Sequence, residues 1–242
     1  QIPDSEKLTK VWSRQREAVK TSQLVFDRDL LERDLNRDLA WPMGFLDFET
    51  VQPAIPCWEG CRPYDQIAVQ YSYHVMAEDG SLEHYEHLAR GPEDPRRVLA
   101  QSLIEVCREA GVIWTYNISF ERTRIMEMAE AFPDLADDLE EVIKRLRDLL
   151  PVIRDHVYHP DFSGSFSIKK VLPALVPELT YEGLDIGDGQ SAARVLENLL
   201  LQGEALAEDV GDTNRRQLLE YCKLDTLGMV RLWERLRALI HP

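Results

Sequence analysis

The chain has 242 residues, 43 acidic against 28 basic side chains, and a formal net charge of −15. That length can bury one substantial core, and a hydrophobic share of 44% is ordinary for a globular protein. The acidity excludes a protein that coats duplex nucleic acid through a basic face. No run of about 18 apolar residues is present to suggest a membrane span, and no leader pattern opens the chain. Cys57, Cys61, Cys107 and Cys222 are too few for a disulfide scaffold and suit a reducing cytoplasm.

Residues 5–39 read as helical and charged, with Asp4-Ser5 as a candidate cap and a second helical pattern from Asp27 to Leu39. Residues 1–40 are therefore expected to form a helical extension ahead of a domain spanning 41–242. Because the chain begins with Gln1, it reads as part of a longer polypeptide. Met43–Glu49 reads as a buried strand, followed by a Pro-rich loop over 52–64 that carries Trp58, Arg62 and Tyr64 as candidate nucleic-acid contacts. Cys57-x-x-x-Cys61 has no second cysteine pair after it and reads as two loop thiols. Gln66–Met76 alternates as a strand, Glu78–Ser81 is a hairpin turn, and Leu82–Leu88 returns.

The pattern then predicts a helix from Asp94-Pro95 to Ala110, a short strand at Val112–Tyr116, and helices at Ser119–Phe132 and Asp134–Leu146. Leu149–Ile153 reads as a strand or short extended segment, and 156–164 as a polar, aromatic loop. His156, His159 and Asp161 in that region are donors of transition-metal type, but loop packing near a site mouth is the reading taken. Ser165–Leu175 is expected to be a helix capped by Ser165 or Ser167. A Gly/Asp loop follows over 183–191, then helices at Ala192–Leu201 and Thr213–Leu239. Strands followed by alternating helices and a strand give a mixed α/β plan.

Within this plan, three pairs of residues carry chemistry. In a strand, Asp47 and Glu49 share a face, while Leu46 and Phe48 point the other way. Two adjacent carboxylates in an apolar strand need compensation, and oxygen-liganded divalent metal is the natural form. Asn117 and Glu121 lie four residues apart where a strand runs into a helix, so both project over the strand end. Tyr221 and Asp225 repeat that spacing on the last helix, where Asp225 borders an apolar stripe through Cys222, Met229 and Trp233. If Asp47, Glu49, Glu121 and Asp225 converge, they can hold two divalent ions about 3.5–4 Å apart, the arrangement used for in-line displacement at phosphorus. Lys169 and Lys170 are candidate phosphate contacts, and Asp148 a candidate supporting acid.

The segments Phe45-Leu46-Asp47-Phe48-Glu49-Thr50, Tyr116-Asn117-Ile118-Ser119-Phe120-Glu121 and Tyr221-Cys222-Lys223-Leu224-Asp225 stand in the order of three known motifs. On them the chain resembles the DEDD 3′–5′ exonucleases of the RNase H-like superfamily, in the branch that uses Tyr. Ser165-Phe166-Ser167-Ile168-Lys169-Lys170-Val171-Leu172 resembles a helix often found between the second and third motifs. More closely, the chain is similar to an uncharacterised bacterial domain family with these motifs, often sited at the C-terminal end of longer proteins. The resemblance implies an RNase H-like, mixed five-stranded sheet with its first three strands antiparallel and helices on its faces. It implies Mg²⁺ or Mn²⁺ held by Asp47, Glu49 and Asp225, a second ion at Asp47 and Glu121, and Tyr221 orienting the attacking water. Asn117, Arg62 and Lys169 would meet a nucleic-acid strand, more readily a single strand or short 3′ end than long duplex. The chain departs from the motif at Glu121, where the family carries Asp. A non-catalytic scaffold of the same fold is the alternative expectation.

Overall fold

The computed structural model describes residues 8–201 and 208–241. Helix α1 (Lys10–Thr21) is capped by the Thr9 hydroxyl, which accepts from the Trp12 N–H; the expected Asp4-Ser5 cap lies outside the described residues. A short strand β1 (Val25–Phe26) leads into α2 (Arg28–Asn36), where the Asp27 carboxylate accepts from the Leu30 N–H. A side-chain oxygen at this position satisfies an N–H that has no partner inside the helix.

The main sheet is built from β2 (Met43–Val51), β3 (Ile67–Met76), β4 (Leu82–Leu88), β5 (Val112–Thr115) and β6 (Leu146–Asp148), in the spatial order β4-β3-β2-β5-β6. Strands β2, β3 and β4 pair antiparallel as consecutive neighbours; β5 and β6 add parallel to β2. The β3–β4 connection turns at Gly80, whose φ of 84° favours a residue without a side chain. Parallel addition requires crossovers, supplied by α3 (Arg96–Cys107) before β5 and by α4 (Ser119–Ala131) with α5 (Ala136–Arg145) before β6. The result is an α/β fold with a mixed five-stranded sheet and helices on both faces.

Alternation on β2 decides which helices lie where. Leu46 and Phe48 enter one core with residues of α3, α4 and α5, among them Leu99, Ile125 and Leu139. Met43 and Phe45 enter another with α6 (Leu149–His156), α7 (Ile168–Leu175) and the long α9 (Glu208–Ile240). A third cluster joins Val51, Val69 and Trp58 to α8 (Gly189–Leu201) and Tyr221. Gly44 permits the close pairing of β2 and β3: a Cβ there would fall 2.2 Å from the Tyr73 hydroxyl.

Two elements depart from the sequence reading. Leu149–Ile153 is the start of α6, and the strand β6 lies just before it. Asp148 ends the strand and its carboxylate caps the helix by accepting from the Leu150 N–H; Pro151 is tolerated in the first turn because no intrahelical donor is lost there. The N-terminal segment is not helical throughout: β1 pairs antiparallel with β7 (Val157–Tyr158). Ala18, Leu31 and Leu35 are fully buried in the core shared with α9. No helix among the described residues is long and apolar enough to cross a membrane.

A carboxylate cluster between β2 and α9

Asp47 and Glu49 project from β2 toward α9, on the face that carries Phe45 into the α9 core. The β2–β3 register slips between Glu49 and Thr50, leaving Val69 of β3 as the extra residue. From above the sheet, α9 brings Asp225, so that Asp47, Glu49 and Asp225 each present an oxygen within 4.8 Å of the others. Asp225 is 7% exposed and Glu49 9%. Burial raises the carboxyls of Asp47 and Glu49 well above their usual range, and each is raised further by neighbouring acids, Asp225 for Asp47 and Asp47 first for Glu49. Burial also pushes Asp225 up, to about 6, against the opposing pull of the Tyr181 hydroxyl and the Lys169 ammonium. Three acids held so close while half or wholly buried are a poor arrangement for their own sake.

The surroundings are polar on one side and packed on the other. The Tyr181 hydroxyl donates to Asp225 Oδ1 at 2.5 Å. Lys169 Nζ donates to the Tyr221 hydroxyl at 2.9 Å and to the Gly187 carbonyl at 2.8 Å. The same ammonium lies 4.8 Å from the Tyr221 ring centroid and 5.5 Å from that of Tyr181. The Cys222 thiol packs against Asp47, 3.7 Å from Oδ2, and is kept a thiol by burial and that acid's charge. Behind the acids, Thr226 Oγ1 bonds both Ser72 Oγ at 2.7 Å and His74 Nδ1 at 2.8 Å, and Ser72 also meets His84 Nε2 at 2.9 Å. Burial lowers His74 to about 3 and His84 to about 4, so both rings are neutral links pinning α9 to β3 and β4.

Glu121 stands at the edge of this group. It occupies the first turn of α4, is 1% exposed, and its Oε2 has no hydrogen-bond partner. Burial, then the Asp47 charge, push its carboxyl up to about 9. The donor set fits a divalent cation: oxygens only, from a preformed trio, with a fourth buried carboxylate that has one unpartnered oxygen and feels the Asp47 charge.

The structure thus gathers Asp47, Glu49, Asp225, Tyr221 and Lys169, with Glu121 beside them. It places Asn117 and Arg62 otherwise. Asn117 is exposed with φ 79°, its side chain accepts from Ser119 Oγ, and its N–H donates to Asp148 Oδ1. Asp148 Oδ2 accepts from the Ile118 N–H as well, so the supporting acid fixes the turn that launches α4. Arg62 lines a separate surface hollow with Arg96 and Arg124. His159 caps the short turn at Pro160–Phe162 and lies 3.5 Å from Asp161, but His156 pairs with Asp34 at 2.7 Å, so the three do not converge as one group. Sequence reasoning missed Tyr181. It lies in an irregular loop with no periodic pattern, and only the fold brings it to Asp225.

A family model described as Domain of unknown function (DUF2779) matches residues 44–167, just over half of the chain. The matched span holds Asp47, Glu49 and Glu121 and stops before α8 and α9. Among curated proteins, the chain is similar to Uncharacterized protein UU173 of Ureaplasma parvum, 27% identical over 180 residues, which are 64% of this chain and 26% of that protein. It is also similar to Uncharacterized protein MG366 homolog of Mycoplasma pneumoniae, 25% identical over 210 residues, which are 78% of this chain and 31% of that protein. The chain therefore spans about a quarter to a third of the length of these relatives. No solved structure matches it. On the match across β2 to the start of α7, the chain belongs to the family described as Domain of unknown function (DUF2779).

Proposed function

We propose that this domain is a divalent-metal-dependent 3′–5′ exonuclease with an RNase H-like fold. The observation that carries the reading is the convergence of Asp47, Glu49 and Asp225 beneath Tyr221, from elements far apart in the chain. The antiparallel β2-β3-β4 set with two parallel strands added supports the fold assignment. Asp47, Glu49 and Asp225 would hold one Mg²⁺ or Mn²⁺, with Asp47 and Glu121 flanking a second. When bound, such cations supply charge neutralisation and an activated water for displacement at phosphorus.

The chain's own residues do the rest. Tyr221 stays protonated, because burial and the nearby carboxylates hold its hydroxyl far above neutral pH. It therefore serves as a hydrogen-bond donor rather than a base. Lys169 donates to that oxygen, and the phenolic hydrogen, which also acts on Asp225, is the group that would orient a water at the site. The Lys169 charge also offsets the approach of a phosphodiester to an acidic surface. A single strand, whose end can enter a narrow site, suits this geometry better than long duplex. All four cysteines are free, which supports a reducing, cytoplasmic setting. The length of the relatives supports a role as one part of a larger polypeptide.

The test is incubation of purified protein and Mn²⁺ with oligonucleotides labelled at either end. Stepwise shortening from the 3′ end is expected, with Asp47→Ala at background and a circular substrate left whole. No shortening by wild type, or equal shortening by Asp47→Ala, rejects the proposal. One observation favours a scaffold of the same fold instead: Glu121 lies outside the close trio. Calorimetry separates the two readings, since a scaffold takes up no Mn²⁺ below millimolar concentration.

A further inference from the structure

We propose that Tyr181 is a second tyrosine of the site, a positioning residue that holds Asp225 in place as a cation ligand. This rests on the cation-binding reading above. Asp225 Oδ1 accepts the Tyr181 hydroxyl while the Asp225 carboxylate already lies within the close trio. A carboxylate oxygen has two lone pairs, so one oxygen engaged by a phenol leaves the group able to bind a cation. Without that bond, a side chain facing two other acids would turn away from them to relieve repulsion. The phenol therefore holds the least favourable orientation, which is the useful one.

The two tyrosines divide the work. The Tyr221 oxygen accepts from Lys169 and its hydroxyl acts on Asp225 more weakly than Tyr181 does, whereas the Tyr181 hydroxyl is given wholly to Asp225 Oδ1. Lys169 lies over both rings and ties the Tyr181 loop to α7 through the Gly187 carbonyl. Ile186, buried in the cluster shared with α8, anchors the loop on its other side. The segment 176–188, between α7 and α8, thus acts as a supporting wall that reaches the trio through the Tyr181 hydroxyl. Hydrogen bonds to metal-ligating carboxylates of this kind tune affinity by orienting the ligand.

Tyr181→Phe tests this, since it keeps the ring beneath Lys169 and removes only the hydroxyl. Mn²⁺ binding is measured by calorimetry on the whole chain, beside wild type and Asp225→Asn. Thermal unfolding is recorded with and without Mn²⁺. Expected for Tyr181→Phe are a metal-free melting temperature near wild type and Mn²⁺ affinity lower by about 10–100-fold, with a smaller Mn²⁺-induced rise in melting temperature. Exonuclease turnover of Tyr181→Phe should recover as Mn²⁺ is raised, whereas that of Tyr221→Phe should not. Unchanged or tighter Mn²⁺ binding by Tyr181→Phe, with wild type binding and Asp225→Asn not, overturns the assignment of Tyr181 alone. A drop in the metal-free melting temperature with affinity retained also overturns it, as a purely structural role. No Mn²⁺ uptake by wild type overturns both this assignment and the site reading beneath it.

Discussion

Glu121 contributes one pH dependence to the stability of the protein. Its carboxyl lies near 9 in the fold against 4.5 in an ordinary setting, because it is buried beside Asp47 with one oxygen unpartnered. The folded form therefore keeps a proton that the unfolded chain releases, and stability falls as pH rises through the window from about 4.5 to about 9. Glu121→Gln removes the proton-binding difference. In the absence of metal it should stabilise the protein by roughly 3 kcal/mol at pH 7, and by almost nothing near pH 4. Urea unfolding at the two pH values checks this; an equal gain at both would contradict the assignment. Asp225, at about 6, changes in the same direction over a lower range. On the proposed cation site, binding would displace these protons, so Mn²⁺ affinity should rise with pH and calorimetry in buffers of different ionisation enthalpy should show proton release.

Several elements owe their place to a single side chain. Asp148 ends β6, caps α6 through the Leu150 N–H at 3.0 Å, and accepts from the Asn117 and Ile118 N–H groups at 3.0 and 3.1 Å. One acid thus joins two helix starts and fixes the origin of α4, three residues before Glu121. Asp148→Ala should cost about 1–3 kcal/mol in denaturant unfolding and speed hydrogen exchange at those three amides. Strands β2, β3 and β4 and most helices were legible from periodicity, because each buries one face and the alternation records it. Helix α6 was not, since Leu149-Leu150-Pro151-Val152-Ile153 is a short apolar run without a visible period. Its cap, Asp148, announces a helix only once it is seen to end a strand. The bulge at Glu49/Thr50 leaves no mark in the sequence either, because it is a property of two paired strands.

At the scale of the molecule, residues 18–39 contribute to the main core. Leu31 and Leu35 are buried with α9, His156 pairs with Asp34, and Arg14 Nη1 donates to the Asp155 carbonyl at 2.7 Å. Leu31→Ala should therefore destabilise the whole protein by about 2–5 kcal/mol in one cooperative transition, measured by urea unfolding. A separate early transition would mark an appendage. The same core presses α9 onto β2 and β3, which is what delivers Asp225 to Asp47. Stability and site geometry are coupled through that helix.

The sequence by itself determined strands β2 to β5, the long final helix, and the candidate acids Asp47, Glu49, Glu121 and Asp225 with Tyr221, because local periodicity and spacing are written in neighbouring residues. Tertiary structure alone decided that Asp225 meets Asp47 and Glu49, that Glu121 Oε2 is buried near Asp47 without a partner, that Asn117 and Arg62 lie outside the carboxylate trio, and that Tyr181 enters. Those outcomes depend on how the apolar faces of separate elements pack, and that packing joins residues far apart in the chain.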